Sequence, residues 1–202
     1  MAYTTQPTVA FGDTWSASQH NVMINDFIYL NTAFHEPLFP RSSGIAPSSG
    51  LTASALVQLQ SSGAGTNKPE FWVLDHDAGA SEGRIWQGRI PRGYGSTLTI
   101  QGMVIMASAT SGNVVLGCQI ACVSDGDASV TAKVFATENT ATVAVPGSAG
   151  TAKAFTITMA NADSIAAGDW YNICFYRKGA DGSDTATGDL RLLVLDAYFS
   201  LA

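Results

Sequence analysis

The period of the apolar positions changes once along this 202-residue chain. From Ser16 to Phe34, the residues His20, Met23, Phe27, Leu30 and Phe34 follow a 3-4-3-4 spacing, widened by Ile24 and Ile28, while Asn21, Asn25, Asp26 and Asn31 fill much of the other side. That period predicts a helix with one apolar stripe. Ser16 and Gln19 form a capping-box start with Trp15 just outside it, and Gly12 and Asp13 make the preceding turn. Pro37 and Pro40 prevent continuation. A helix of about 18 residues is marginal alone in water, so its stripe must be buried. It packs either on the β-structure of its own chain or on copies of itself about a symmetry axis.

Beyond the helix the period falls to two. "PRSSGIAPSSG" reads as a linker, and in "LTASALVQLQ" Leu51, Ala53, Ala55, Val57 and Leu59 alternate as in a strand, with Leu56 alone out of phase. "SSGAGTNKPE" is a loop by composition. From residue 71 onward eight runs are bounded by turn-forming segments: "EFWVLDH", "GRIWQGRI", "STLTIQGMVIMA", "NVVLGCQIACV", "SVTAKVFAT", "TAKAFTITM", "DWYNICFYRK" and "DLRLLVLDAYFSL". Strands at this spacing predict a mainly β protein, an antiparallel β-sandwich that is jelly-roll-like. The expected organisation is an N-terminal arm and amphipathic helix over 1–40, a Ser/Gly-rich linker with one strand over 41–70, and the sandwich over 71–202. In "DWYNICFYRK" both alternating sets carry bulky groups, so this strand is expected to be covered on both faces.

Composition narrows the function classes. Hydrophobic residues make up 46% of the chain, enough for a core, and charged residues only 13%, too few for a helical bundle rich in Lys and Glu. A net charge of −6 argues against the basic face that nucleic-acid binding needs. "MAYTTQPTVAFGD" has neither the basic segment nor the apolar core of a signal peptide, and no later run approaches the ~18 apolar residues of a membrane span. Synthesis in a cytoplasm, with no membrane partner, is the expectation. Cys118 and Cys122 lie on one face of a strand about 13 Å apart, too far to bridge. With Cys174 they are expected to be buried thiols.

The candidate chemistry is thin. Of the histidines His20, His35 and His76, only His76 lies near strand ends, and on a strand Asp75 and Asp77 face away from it. An exposed loop histidine accounts for it, and no catalytic residue or cofactor is expected. Asp181, Ser183, Asp184, Thr185 and Asp189 are oxygens of the type calcium uses, as are Asp125 and Asp127, but the glycine and glutamate of an EF-hand are missing and solvated turns account for both loops. Among Trp72, Trp86, Tyr94 and Trp170, aromatic candidates for stacking on a glycan, Trp72 and Trp86 are expected in the core. Arg84, Arg89 and Arg92 cluster in "RIWQGRIPRGYG" with Tyr94, a candidate binding surface or a solvated strand face.

Two segments carry a resemblance. "FGDTWSASQHNVMINDFIYL" resembles the N-terminal segment of many tailed-bacteriophage structural proteins, through Gly12, Asp13, Thr14, Ala17, Asn21, Asn25 and Asp26. "AAGDWYNICFYRKGADGSDTATGDLRLLVLDAYF" is similar to the last hairpin of phage jelly-roll domains from fibres and capsid decorations: a Gly-Asp opens a long strand, an Arg closes it, and an acidic loop leads to an aromatic strand. The resemblance implies a non-enzymatic virion protein presenting a β-sandwich outward, often as a homotrimer. The expected function is a capsid decoration or cement protein on the outer surface, bound to the major capsid protein. Trp15, Met23, Phe27, Leu30 and Phe34 are expected to carry anchoring or self-association, with Tyr3 to Phe11 as an arm. The alternatives are a short tail or head fibre binding a host-surface glycan, and a carbohydrate-binding module or glycan-acting enzyme.

Overall fold

The computed structural model describes residues 33–38, 44–127 and 129–202. Among the described residues eleven strands build two sheets facing each other. They are β1 (Ala33–Pro37), β2 (Thr52–Ala53), β3 (Ala55–Gln60), β4 (Glu70–His76), β5 (Ser81–Arg89), β6 (Tyr94–Met106), β7 (Asn113–Val123), β8 (Asn139–Ala144), β9 (Lys153–Thr158), β10 (Trp170–Lys178) and β11 (Leu190–Leu201). One sheet runs β3-β4-β11-β6-β9, with β1 beside β11, and the other runs β2-β5-β10-β7-β8. From β4 onward the chain wraps back and forth between the sheets, giving four-stranded cores β4-β11-β6-β9 and β5-β10-β7-β8. That is the strand order of a jelly roll, so the expected sandwich is observed. Every strand pair is antiparallel except β2 with β5.

Period-two alternation decides which side chains enter the core. From β10 Tyr171, Ile173 and Phe175 point inward, from β7 Leu116, Cys118, Ile120 and Cys122, and from β11 Leu195, Ala197 and Phe199, all buried in one cluster. Phe175 stacks on Phe155 with ring centroids 5.4 Å apart, joining the two sheets. The thiols are buried and free, as expected. β10 is buried on both faces over Ile173–Arg177, also as expected.

The structure does not support the expected helix. Ala33 and Phe34, its last residues, lie in a strand that pairs antiparallel with β11, Phe34 opposite Phe199. Trp15, Met23, Phe27 and Leu30, the arm from Tyr3 to Phe11 and the capping residues Ser16 and Gln19 lie outside the described residues. Extension beats helix here because β11 has an open edge beyond β4, and the ladder satisfies the backbone. Pro37 ends the strand, where its missing N–H costs nothing, and Leu38 N–H donates to Leu195 O at 2.8 Å.

Two further expectations change. "LTASALVQLQ" splits at Ser54, so β2 joins one sheet and β3 the other. "SVTAKVFAT" contains no strand: Val130–Ala132 is a 3-10 turn, and Val130 and Val134 are 62% and 77% exposed. The strand beside β7 is the weaker-looking "NTATVA" of β8.

The end of the sandwich is closed by Arg177, wholly buried on the inner side of β10. Its five N–H donors all find acceptors: Asp184 Oδ2 and Oδ1 at 3.0 and 2.7 Å, Gly188 O at 2.7 Å, Ala186 O at 2.9 Å and His76 O at 3.4 Å. Asp184 is equally sealed and also accepts from Val115 N. Removing one member of such a pair strands a buried charge, which is why the loop after β10 is tied down.

Candidate functional site

The outer side of the five-stranded sheet carries the most developed surface. Along β10 the outward set is Trp170, Asn172, Cys174, Tyr176 and Lys178, flanked by Gln87 and Arg89 of β5 and by Gln119 of β7. Eight residue steps make this row about 27 Å long. Its centre is a groove of about 280 Å³ floored by Ile85, Gln119, Cys174 and Tyr176, with Pro47–Leu51 on one side and Phe135 on the other.

Both walls are fixed by backbone hydrogen bonds. Ile45 exchanges N–H···O bonds of 2.6 and 3.0 Å with Ile85, which lays the 44–51 segment along the edge of β5. Across the sheet Ala136 N–H donates to Ile120 O at 2.9 Å, and Gln119 Nε2 donates to Ala136 O at 3.1 Å, which places Phe135 at the rim.

In the floor, Tyr176 lies between two glycines, Gly83 of β5 and Gly117 of β7. A Cβ on Gly117 would come within 2.5 Å of the Tyr176 ring, so only glycine lets the ring lie flat there. The Tyr176 hydroxyl donates to Glu138 Oε2 at 2.6 Å, and Lys178 Nζ holds Glu138 Oε1 at 2.7 Å. These two donors, Lys178 first, hold the Glu138 carboxyl below its usual range. Burial and then the Glu138 carboxylate push the phenol well up, so Tyr176 is a neutral ring locked in place. Further along, Gln87 Nε2 donates to Asn172 Oδ1 at 2.7 Å, and beyond that pair Trp170 is 48% exposed. A groove over the nearly covered Tyr176 ring, two amides and an exposed indole in line suit a ligand with apolar faces and hydroxyl edges.

The expected basic cluster is divided. Arg84 turns away from this face: its Nε and Nη2 donate to Ser54 O at 2.9 and 2.5 Å and its Nη1 to Gly44 O at 3.2 Å. Arg89 donates from Nε to Gly168 O at 2.8 Å and, with Arg92, lines a second cavity beyond Trp170, of about 410 Å³. Tyr94 is no surface residue; it is buried edge-to-face against Phe199. Trp86 is in the core as expected, whereas Trp72 is 37% exposed because β4 lies next to the sheet's end strand β3. Tyr176, Gln119, Phe135, Gln87 and Asn172 were not singled out by sequence, although the alternation of "DWYNICFYRK" already placed Trp170, Asn172, Cys174 and Tyr176 on one face.

The remaining chemistry is internal. His76 is no exposed loop residue: it is wholly buried, its Nδ1 2.9 Å from both Glu82 O and Ser54 Oγ. Burial pushes its pKa down to about 4, with the charges of Arg177 and Arg84 acting in the same direction. Ser54 is sealed too, so this Ser–His pair is out of reach of any substrate. The acidic loops are largely exposed turns, as expected, with Asp184 as the sealed exception and several other oxygens engaged locally. Asp184 is committed to Arg177, Asp181 Oδ1 accepts from Ser183 N, Thr185 Oγ1 accepts from Asn113 N, and Asp127 accepts from Ser124 N and pairs with Lys133. Among the described residues no group of three His, Cys, Asp or Glu could hold a metal ion.

No family model matches the chain, and no curated protein matches it in sequence. Among solved structures it is similar to an arabinose-bound α-L-arabinofuranosidase (12% identity, 82% of this chain and 23% of that one, TM-score 0.39). It is likewise similar to the enzymatically active domain of bacteriophage CBA120 tailspike protein 4 (10%, 87% and 20%, 0.39). A third likeness is to a family 11 carbohydrate-binding module of Clostridium thermocellum in complex with a β-1,3-1,4-mixed-linked tetrasaccharide (11%, 83% and 96%, 0.39). The chain spans less than a quarter of the first two. The fold assignment, a jelly-roll sandwich, rests on the strand order alone.

Proposed function

We propose that this chain is a non-enzymatic surface protein of a tailed-phage particle whose sandwich binds carbohydrate across the outer face of the five-stranded sheet. The observation that carries the binding reading is the groove over Tyr176 and Cys174, continued by the Gln87–Asn172 pair and the exposed Trp170. A sugar ring offers an apolar face to an aromatic ring and hydroxyls to amides, and this row supplies both. The sealed Ser54–His76 pair supports a binding rather than a catalytic role. The phage context rests on the resemblance of the N-terminal and C-terminal segments.

In this reading the protein is the head of a short tail or head fibre and meets a host-surface glycan. The decoration reading, with trimers clamping neighbouring major capsid subunits and favouring the assembled shell through binding to it alone, rests on an N-terminal stretch outside the described residues. One pair of measurements separates them: retention of the purified protein on immobilised host-surface polysaccharide, and its copy number per particle. Retention with a few to a few tens of copies is expected. Hundreds of copies without retention would return the function to capsid decoration, and turnover of the polysaccharide would sink both.

A further inference from the structure

We infer that the Trp170 end of this face is a subsite for an uncharged sugar ring, so that the ligand is a neutral glycan and not a polyuronate or sialylated chain. This deepens the carbohydrate reading above and depends on it. Trp170 opens β10 opposite Arg89 on one side and Val123 on the other, and its side chain has no hydrogen-bond or ring partner among the described residues. An indole half in water gains by covering its face with the C–H side of a pyranose.

Next to it, the cavity of about 410 Å³ is lined by Arg89, Arg92, Asp125, Ala167, Gly168 and Asp169, a volume within the range of small-molecule sites. Arg89 is held by Gly168 O, and Asp169 by Ala166 N at 2.9 Å, so a planar donor and a planar acceptor are fixed in place. None of the four charged residues forms an ion pair among the described residues. Donors and acceptors side by side, not committed to ion pairs, suit hydroxyls, which both donate and accept.

Charge then selects the class of glycan. The two arginines share their cavity with two carboxylates. Elsewhere around the face, Lys178 is paired with Glu138 and Asp181, and Lys133 with Asp127 and Asp163. Arg89, Arg92, Lys133 and Lys178 thus stand against Asp125, Asp127, Glu138, Asp163, Asp169 and Asp181, four cations to six anions. An acidic chain entering this face meets net negative charge, whereas a neutral one loses nothing to it.

Titration calorimetry on the full chain tests the inference, with hexasaccharides of β-1,3-1,4-glucan, β-1,4-galactan and α-mannan set against uronic-acid oligosaccharides of equal length. At least one neutral member is expected to bind with no measurable uronate binding. Trp170→Ala should then weaken it at least tenfold, and Arg92→Gln, at an exposed turn position, severalfold, both with unchanged circular dichroism. Tighter binding of uronates would overturn the neutral-ligand inference. Neutral binding that both variants leave intact but Tyr176→Ala abolishes would overturn the subsite while leaving the groove reading standing. Silence of every glycan would overturn both.

Discussion

Tyr176 lies flat across Gly117, its neighbour on β7, in the floor of the groove, and its hydroxyl is pinned to Glu138. A methyl group on Gly117 has to displace the ring, because the sheet backbone beneath it cannot yield. Gly117→Ala is expected to cost about 1–3 kcal/mol in urea denaturation and to lower glycan affinity. Adding Tyr176→Ala to that variant should relieve part of the stability loss, so the double variant costs less than the sum of the two single ones. Strict additivity would mean that the two residues do not press on each other.

The Arg177–Asp184 pair is expected to be the most sensitive polar contact in the protein. Asp184→Ala leaves a buried guanidinium with an unmet charge, and a loss of about 3–5 kcal/mol follows. For a chain of this size that lowers the melting temperature on the order of 10 °C. Arg177→Lys should be nearly as damaging, since an ammonium has three donors where five are used. A melting temperature unchanged by Asp184→Ala would refute the wiring described for the loop after β10.

His76 makes stability depend on pH. Its pKa in the folded protein is about 4, against an ordinary 6.5 when unfolded. The unfolded chain therefore binds the proton first as pH falls, and stability is complete above pH 6.5 and declines down to about pH 4. The full decline attributable to this group is about 3 kcal/mol. Denaturation midpoints followed across that window should fall more steeply for the parent than for His76→Gln. Parallel slopes would show that the folded imidazole takes up its proton as readily as in the unfolded chain and is not sealed.

The three thiols are expected to be inert in the native state. Burial pushes Cys122 and Cys174 up to about 12 and Cys118 well above its ordinary value, so the reactive thiolate is scarce at pH 8. Iodoacetamide should leave the intact mass unchanged and add three groups only in denaturant. Fast single labelling of Cys174 in the native protein would show that the groove floor opens, because Cys174 is the thiol that lines it.

The sandwich itself was legible. The long apolar runs "STLTIQGMVIMA", "NVVLGCQIACV" and "DLRLLVLDAYFSL" correspond to β6, β7 and β11, the long strands around which the sheets assemble. Failures came where a neighbour outweighed local pattern. β8 has a weak pattern, with Thr140 and Ala144 exposed, yet the ladder to β7 makes it a strand; the more apolar stretch around Val130 and Val134 has no such partner. Ala33 and Phe34 continue a helical period in sequence and are extended because the free edge of β11 receives them.

The candidate site was legible only in part, for the same reason. Alternation alone determined that Trp170, Asn172, Cys174 and Tyr176 share a face, and the spacing of apolar runs between turn segments determined that the protein is a β-structure. Only the tertiary structure decided what each side of β10 meets: Arg177 is sealed against Asp184, Arg84 is drawn off to Ser54 and Gly44, and Tyr176, almost wholly covered, lies in the floor of a groove whose walls, Pro47–Leu51 and Phe135, come from distant parts of the chain. Periodicity is a property of one strand and its two faces. Burial, ion pairing and the shape of a groove belong to residues distant in sequence, and they exist only once the ladders have brought those residues together.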